Sequence, residues 1–326
     1  MLSWFRQRVS GGGASAVSAS KTGAKARARR APSGDAELFD EEFQRRLEYL
    51  AIVSRRIYNG RMRAERRSKK TGAGIEFADH REYVPGDDFR YLDWNVYQRT
   101  GRLLLRLFEE EEDLSVYVLV DASRSMGMGD PPKLTYAKQL AAAFAYVALA
   151  NLDRVSVLTF DASMSARLAP TRGKNRIFKV FDFLRDVQAK GETHMGDALR
   201  TFAAQNKRRG VAILISDLYD PAGFEAGINQ LRFAKFEPFV LQVFDPAEVR
   251  PELNGDVRLV DRETGEHREV TITPRLLEKY AEAHAAYRKR IEDFCTQKHV
   301  AYQAIETSTP FDEAVLGVLR RGGLLG

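Results

Sequence analysis

The sequence predicts an α/β protein with a doubly wound, mainly parallel sheet, preceded by an N-terminal helical and irregular module. Three observations predict it. Unbroken apolar runs rich in β-branched residues, at 114–120 and 211–215 above all, have the pattern of strands buried on both faces. Segments with helical spacing separate these runs, as in parallel sheets with crossover helices. Two of the runs lead straight into a carboxylate, Asp121 and Asp217, at the strand edge where open α/β sheets bind ligands.

From the N-terminus, residues 1–34 hold Arg6, Arg8, Lys21, Lys25, Arg27, Arg29 and Arg30 and no acid. The 326-residue chain carries a net charge of only +6, so the basic character lies in this tail and the rest is near neutral. Gly, Ser and Ala dominate the tail and cannot bury enough apolar surface to order it, which predicts a disordered, solvated leader. Salt-sensitive contact with nucleic acid or anionic lipid is the alternative. The tail lacks a secretory apolar core, and no run approaches the ~20 apolar residues that span a bilayer. A single cysteine, Cys295, excludes an intrachain disulfide and reads as a packing residue. A cytoplasmic location is the expectation, and 44% hydrophobic content is ample for a core.

Residues 35–110 form the expected N-terminal module. Leu38, Phe39, Phe43, Leu47, Leu50, Ile52, Val53 and Ile57 recur at mostly helical spacing over residues 35–59, with Gly60 as a stop. The bases at 61–70 read as a solvated face. In residues 76–94, E-F-A-D-H-R-E-Y-V-P-G-D-D-F-R-Y-L-D-W, aromatics interleave with acids and arginines. That pattern predicts a packed module pinned by Arg–carboxylate forks. Nearby arginines keep Asp87, Asp88 and Asp93 ionised, which argues against a catalytic acid pair.

Residues 111–326 carry the sheet. Strands are expected at 114–120, 153–160, 210–216, 238–244 and 299–305, with a short edge strand at 165–168. Helices are expected at 134–152, 175–188, 197–207, 224–233 and 274–297, and a hairpin insertion near 256–273 around E-T-G-E. The first strand delivers Asp121, Ser123 and Ser125 as D-x-S-x-S. The polar loop G-E-T-H-M-G offers Thr193, and the strand at 210–216 offers Asp217. Two carboxylates and three hydroxyls are hard oxygen donors that suit Mg²⁺, Mn²⁺ or Ca²⁺ better than zinc. Asp121 and Ser123 as simple helix caps are the plainer alternative.

The order D-x-S-x-S, loop threonine, strand-closing aspartate resembles the metal-ion-dependent adhesion site of von Willebrand factor A domains, which are Rossmann-type folds. That resemblance implies a metal held by Asp121, Ser123, Ser125, Thr193 and Asp217, with one position open to a partner's Asp or Glu. The 76–94 string, the following R-T-G-R-L at 99–103 and the D-x-S-x-S-M run together resemble the signature of the bacterial domain-of-unknown-function-58 family, over about residues 35–250. This second resemblance implies a MoxR-type AAA+ ATPase partner, an unidentified client protein, and work in protein remodelling or in complex or metallocofactor assembly.

Enzyme signatures are sparse. No G-x-x-x-x-G-K-[ST] or H-E-x-x-H occurs, and His80, His194, His267, His284 and His299 are scattered. An aspartyl-phosphate enzyme would resemble D-x-D, whereas Ser123 holds the second position. The expected function is a non-catalytic, divalent-metal-dependent, protein-binding adaptor without integral membrane segments. A Mg²⁺-dependent phosphotransferase, or nucleic-acid binding through the tail, is the alternative.

Overall fold

The computed structural model describes residues 38–65, 69–70, 76–109, 114–251, 255–260 and 267–321; the basic tail and residues 261–266, where the tip of the hairpin is expected, lie outside them. The chain divides into two compact units. The N-terminal module expected at 35–110 is split between them: Ile52–Leu114 form one unit, while residues up to Ala51 group with the sheet. Helix α1, Glu41–Glu65, runs through Gly60 rather than stopping there. A single interior glycine costs about 1 kcal/mol relative to alanine, which neighbouring arginines and alanine, good helix formers, can offset.

In the Ile52–Leu114 unit, β1 (Lys69–Lys70) and β2 (Glu76–Glu82) flank β3 (Leu104–Glu109) in an antiparallel sheet, with α2 (Trp94–Thr100) preceding β3. The expected pins are present. Arg81 forks onto Asp87 with bonds of 2.9 and 2.8 Å, and Arg90 grips Asp88. Asp93 caps α2 by accepting from the Asn95 and Val96 amides. Hydrogen bonds from Arg81 and Arg90 hold Asp87 and Asp88 below the usual carboxylate range. For Asp93 the leading partner is His80, not an arginine. Two of the aromatics do not fill this module: Phe89 is 61% and Trp94 54% exposed, while Leu92, Leu105 and Leu107 are buried.

The other unit is built on β4 (Ser115–Asp121), α3 (Lys133–Ala150), β5 (Arg154–Phe160), β6 (Met164–Thr171), α4 (Ile177–Asp186), α5 (Met195–Gln205) and β7 (Val211–Ser216). It continues through α6 (Glu225–Phe233), β8 (Glu237–Phe244), α7 (Pro246–Val249), the hairpin β9 (Gly255–Val260) and β10 (His267–Ile272), α8 (Pro274–Gln297), β11 (Ala301–Glu306) and α9 (Phe311–Arg321). The main sheet has the order β11-β8-β7-β4-β5-β6. It is parallel except for the edge strand β6. This is the doubly wound α/β architecture the sequence predicts. Alternation along β4 sorts its side chains: Tyr117 and Leu119 join a core with α5, α6 and α8 residues such as Phe202, Ile228 and Ile291. Helix α3 lies against β4, β5, β7 and β8.

The start of α1 seats on this unit through Phe39, whose ring stacks 4.6 Å from that of Phe181, and Phe43, 4.5 Å from Phe311. Phe311 opens α9, a helix absent from the expected elements. Cys295 is buried, and burial pushes its thiol up to about 12. Among the described residues no helix is long and apolar enough to cross a membrane.

Candidate metal centre

Strand β4 is buried along its whole length and pairs in parallel with β5 and β7, so its C-terminal end opens at the centre of the sheet. Asp121 closes the strand. Its Oδ1 accepts the Ser123 amide at 2.9 Å, turning the chain sharply. Its Oδ2 accepts the Ser216 hydroxyl from β7 at 2.6 Å. The Ser123 and Ser125 hydroxyls lie 3.0 Å apart.

The loop bearing Thr193 is tied across this turn by two backbone bonds, Lys190 N–H to Ala122 O (2.7 Å) and Arg124 N–H to Gly191 O (3.0 Å). Gly191 sits at φ +76°, with Asp161 against the position its side chain would take, so a larger residue there would strain the tie. The Asp220 carboxylate anchors the far end by accepting the Met195 amide at 2.6 Å. Asp217 follows β7. Its Oδ1 accepts the Tyr219 amide at 3.1 Å and its Oδ2 accepts from Lys133 Nζ at 2.8 Å. Asp121, Ser123, Ser125, Thr193 and Asp217 are all 0–1% exposed.

Ser216, Asp220, Lys133 and Glu248 were not singled out from sequence. Lys133 carried the clearest signal. A lysine in the first turn of an otherwise apolar helix works against the helix dipole and needs a carboxylate partner. It has two, since Nζ also donates to Glu248 Oε1 at 2.5 Å.

Two features match this donor set to a hard divalent cation. The buried Thr193 hydroxyl has no hydrogen-bond partner among the described residues, which is costly unless something else satisfies it. Burial, and next the nearby Asp217 charge, push the Asp121 carboxyl up to about 7; a cation between the two carboxylates would reverse that. No cluster of three or more His, Cys, Asp or Glu suited to a metal occurs among the described residues, in keeping with a set built mainly of hydroxyls.

The raised Asp121 value has a consequence for stability. Between its ordinary 3.8 and about 7, the folded protein holds a proton that the unfolded chain has released. Metal-free stability therefore falls as pH rises through that window. Urea midpoints in EDTA at pH 5 and pH 7.5 measure it: the midpoint should be lower at pH 7.5, and Asp121→Asn should shrink the difference. A wild-type midpoint that rises with pH to the same degree as the variant's contradicts this.

Residues 79–290 match the family described as "Protein of unknown function DUF58". An uncharacterized protein of Mycobacterium tuberculosis is 27% identical over 257 residues, 77% of this chain and 81% of that protein. An uncharacterized protein of Mycobacterium avium is 39% identical over 92 residues, 28% of this chain and 52% of that one. Among solved structures, the conserved hypothetical protein BatB from Bacteroides thetaiotaomicron aligns with a TM-score of 0.40 at 16% identity, covering 64% of this chain and 98% of that one.

Proposed function

This chain belongs to the DUF58 family, and from that premise we propose that it is a non-catalytic adaptor that binds other proteins through a divalent metal ion. The observation that carries the reading is the unpartnered Thr193 hydroxyl, buried in a loop bonded to the turn that holds Asp121, Ser123 and Ser125. Ser123, Ser125 and Thr193 supply neutral oxygens and Asp121 supplies charge. Asp217, already engaged by Lys133 and the Tyr219 amide, contributes its charge directly or through water. When bound, Mg²⁺, Mn²⁺ or Ca²⁺ supplies a positive centre that a partner's Asp or Glu can complete.

The five groups are closed off from solvent. Partner capture on this reading therefore requires the turn at 122–132 or the loop at 190–194 to shift. Asp121 is buried and tied by Ser123 and Ser216, which suits a fixed ligand better than a nucleophile attacking phosphate. The family resemblance supports a MoxR-type AAA+ ATPase as co-worker and a client protein undergoing remodelling, complex assembly or metallocofactor assembly.

Affinity capture by the full chain, in Mg²⁺ and in EDTA, tests this. Partners should be retained in Mg²⁺ and lost in EDTA. Equal capture in the two buffers refutes metal-bridged binding.

A further inference from the structure

The geometry points to Lys133 as a built-in counter-cation that competes with the divalent ion for Asp217 and so limits how tightly that ion is held. The inference rests on the metal reading above and adds a regulator to the same site. Lys133 opens α3 and is fully buried. Its Nζ bridges Asp217 Oδ2 (2.8 Å) and Glu248 Oε1 (2.5 Å) and lies 5.3 Å from the centre of the Tyr219 ring. The helix dipole disfavours a cation at this end, so these carboxylates are what hold the ammonium in the interior.

Glu248 is held ready for it. It belongs to the capping box of α7, in which Asp245 accepts the Ala247 amide and the Glu248 carboxylate accepts the Asp245 amide. Its backbone carbonyl accepts the Tyr280 hydroxyl from α8 at 2.6 Å. The ammonium therefore has a fixed second carboxylate to lean on when Asp217 turns toward an ion. With the ion absent, Lys133 neutralises Asp217 and keeps Asp121 and Asp217 from being bare neighbours. With the ion present, two cations share Asp217, and their repulsion sets the ion's affinity below what the five oxygens alone would give.

Opposite effects of two substitutions follow. Lys133→Met removes the competitor and should tighten Mn²⁺ binding about ten-fold or more, within the usual span of coupling between charged sites. Glu248→Gln leaves Asp217 as the only carboxylate among the described residues to hold the ammonium and should weaken Mn²⁺ binding. The experiment is calorimetric titration of the full-length wild type and both variants with Mn²⁺ alone, alongside melting temperatures in Mn²⁺ and EDTA. Lys133→Met should gain far more thermal stability from Mn²⁺ than the wild type. If Lys133→Met does not fold even with Mn²⁺, the direction of change in Glu248→Gln decides. Unchanged affinity in the variants, or shifts of the same sign, overturns the inference. A wild type and variants that all bind no Mn²⁺ instead overturn the metal reading beneath it.

Discussion

Asp121→Ala is expected to lower Mn²⁺ affinity by about 100-fold or more, beyond the 10–100-fold typical of losing a group that only supports a metal ligand. The substitution removes the one carboxylate of the set that no lysine neutralises. It also frees the Ser123 amide and the Ser216 hydroxyl, which Asp121 holds at 2.9 and 2.6 Å, so the D-x-S-x-S turn loses its shape along with its charge. Asp217→Asn should cost less, because Lys133 already occupies one Asp217 oxygen. Calorimetric titration of both variants checks the ranking. Asp217→Asn proving the more damaging would mean that Asp217, not Asp121, supplies the principal charge.

The largest loss of stability is expected at Gly210. A Cβ there would lie 2.0 Å from the backbone carbonyl oxygen of Ser115. No side-chain rotation relieves a clash with backbone, so the starts of β4 and β7 would have to separate. These central strands bring Asp121 and Ser216 side by side. Gly210→Ala should destabilise the protein by about 3 kcal/mol or more, the upper range for overpacking, and weaken metal binding with it. Gly317→Ala is the control. Gly317 lies within α9, where an added methyl meets nothing within 4 Å, and removing a helical glycine should stabilise by up to about 1 kcal/mol. Urea denaturation of the two variants measures both effects; equal stability of Gly210→Ala and wild type contradicts the clash.

The sheet was legible because runs such as Val116–Val118–Val120 with Tyr117 and Leu119 between them are apolar on both faces, and only a strand covered on both sides uses such a run. The site's oxygen donors were legible because they follow those strands at once in sequence. Thr193 was harder to place: its loop meets the D-x-S-x-S turn through tertiary contacts such as the Lys190–Ala122 and Arg124–Gly191 backbone bonds, which no local pattern reports. The Lys133 bridge was out of reach, since its partners lie 84 and 115 residues away and no local periodicity reports such pairings. Helix α9 does carry an apolar stripe, Val315, Val318 and Leu319 among its buried residues, but Gly317 interrupts the pattern. In the 76–94 string, irregular backbone offers no period by which to tell that Leu92 turns inward while Phe89 and Trp94 face solvent.

A crystal structure grown with Mn²⁺, with anomalous diffraction recorded at the manganese edge, tests the central claim most directly. The account predicts one strong anomalous peak within about 2.5 Å of oxygens from Asp121, Ser123, Ser125 or Thr193, the range for such cations. Data showing Mn²⁺ bound elsewhere, or no peak in the crevice at saturating Mn²⁺, would contradict it.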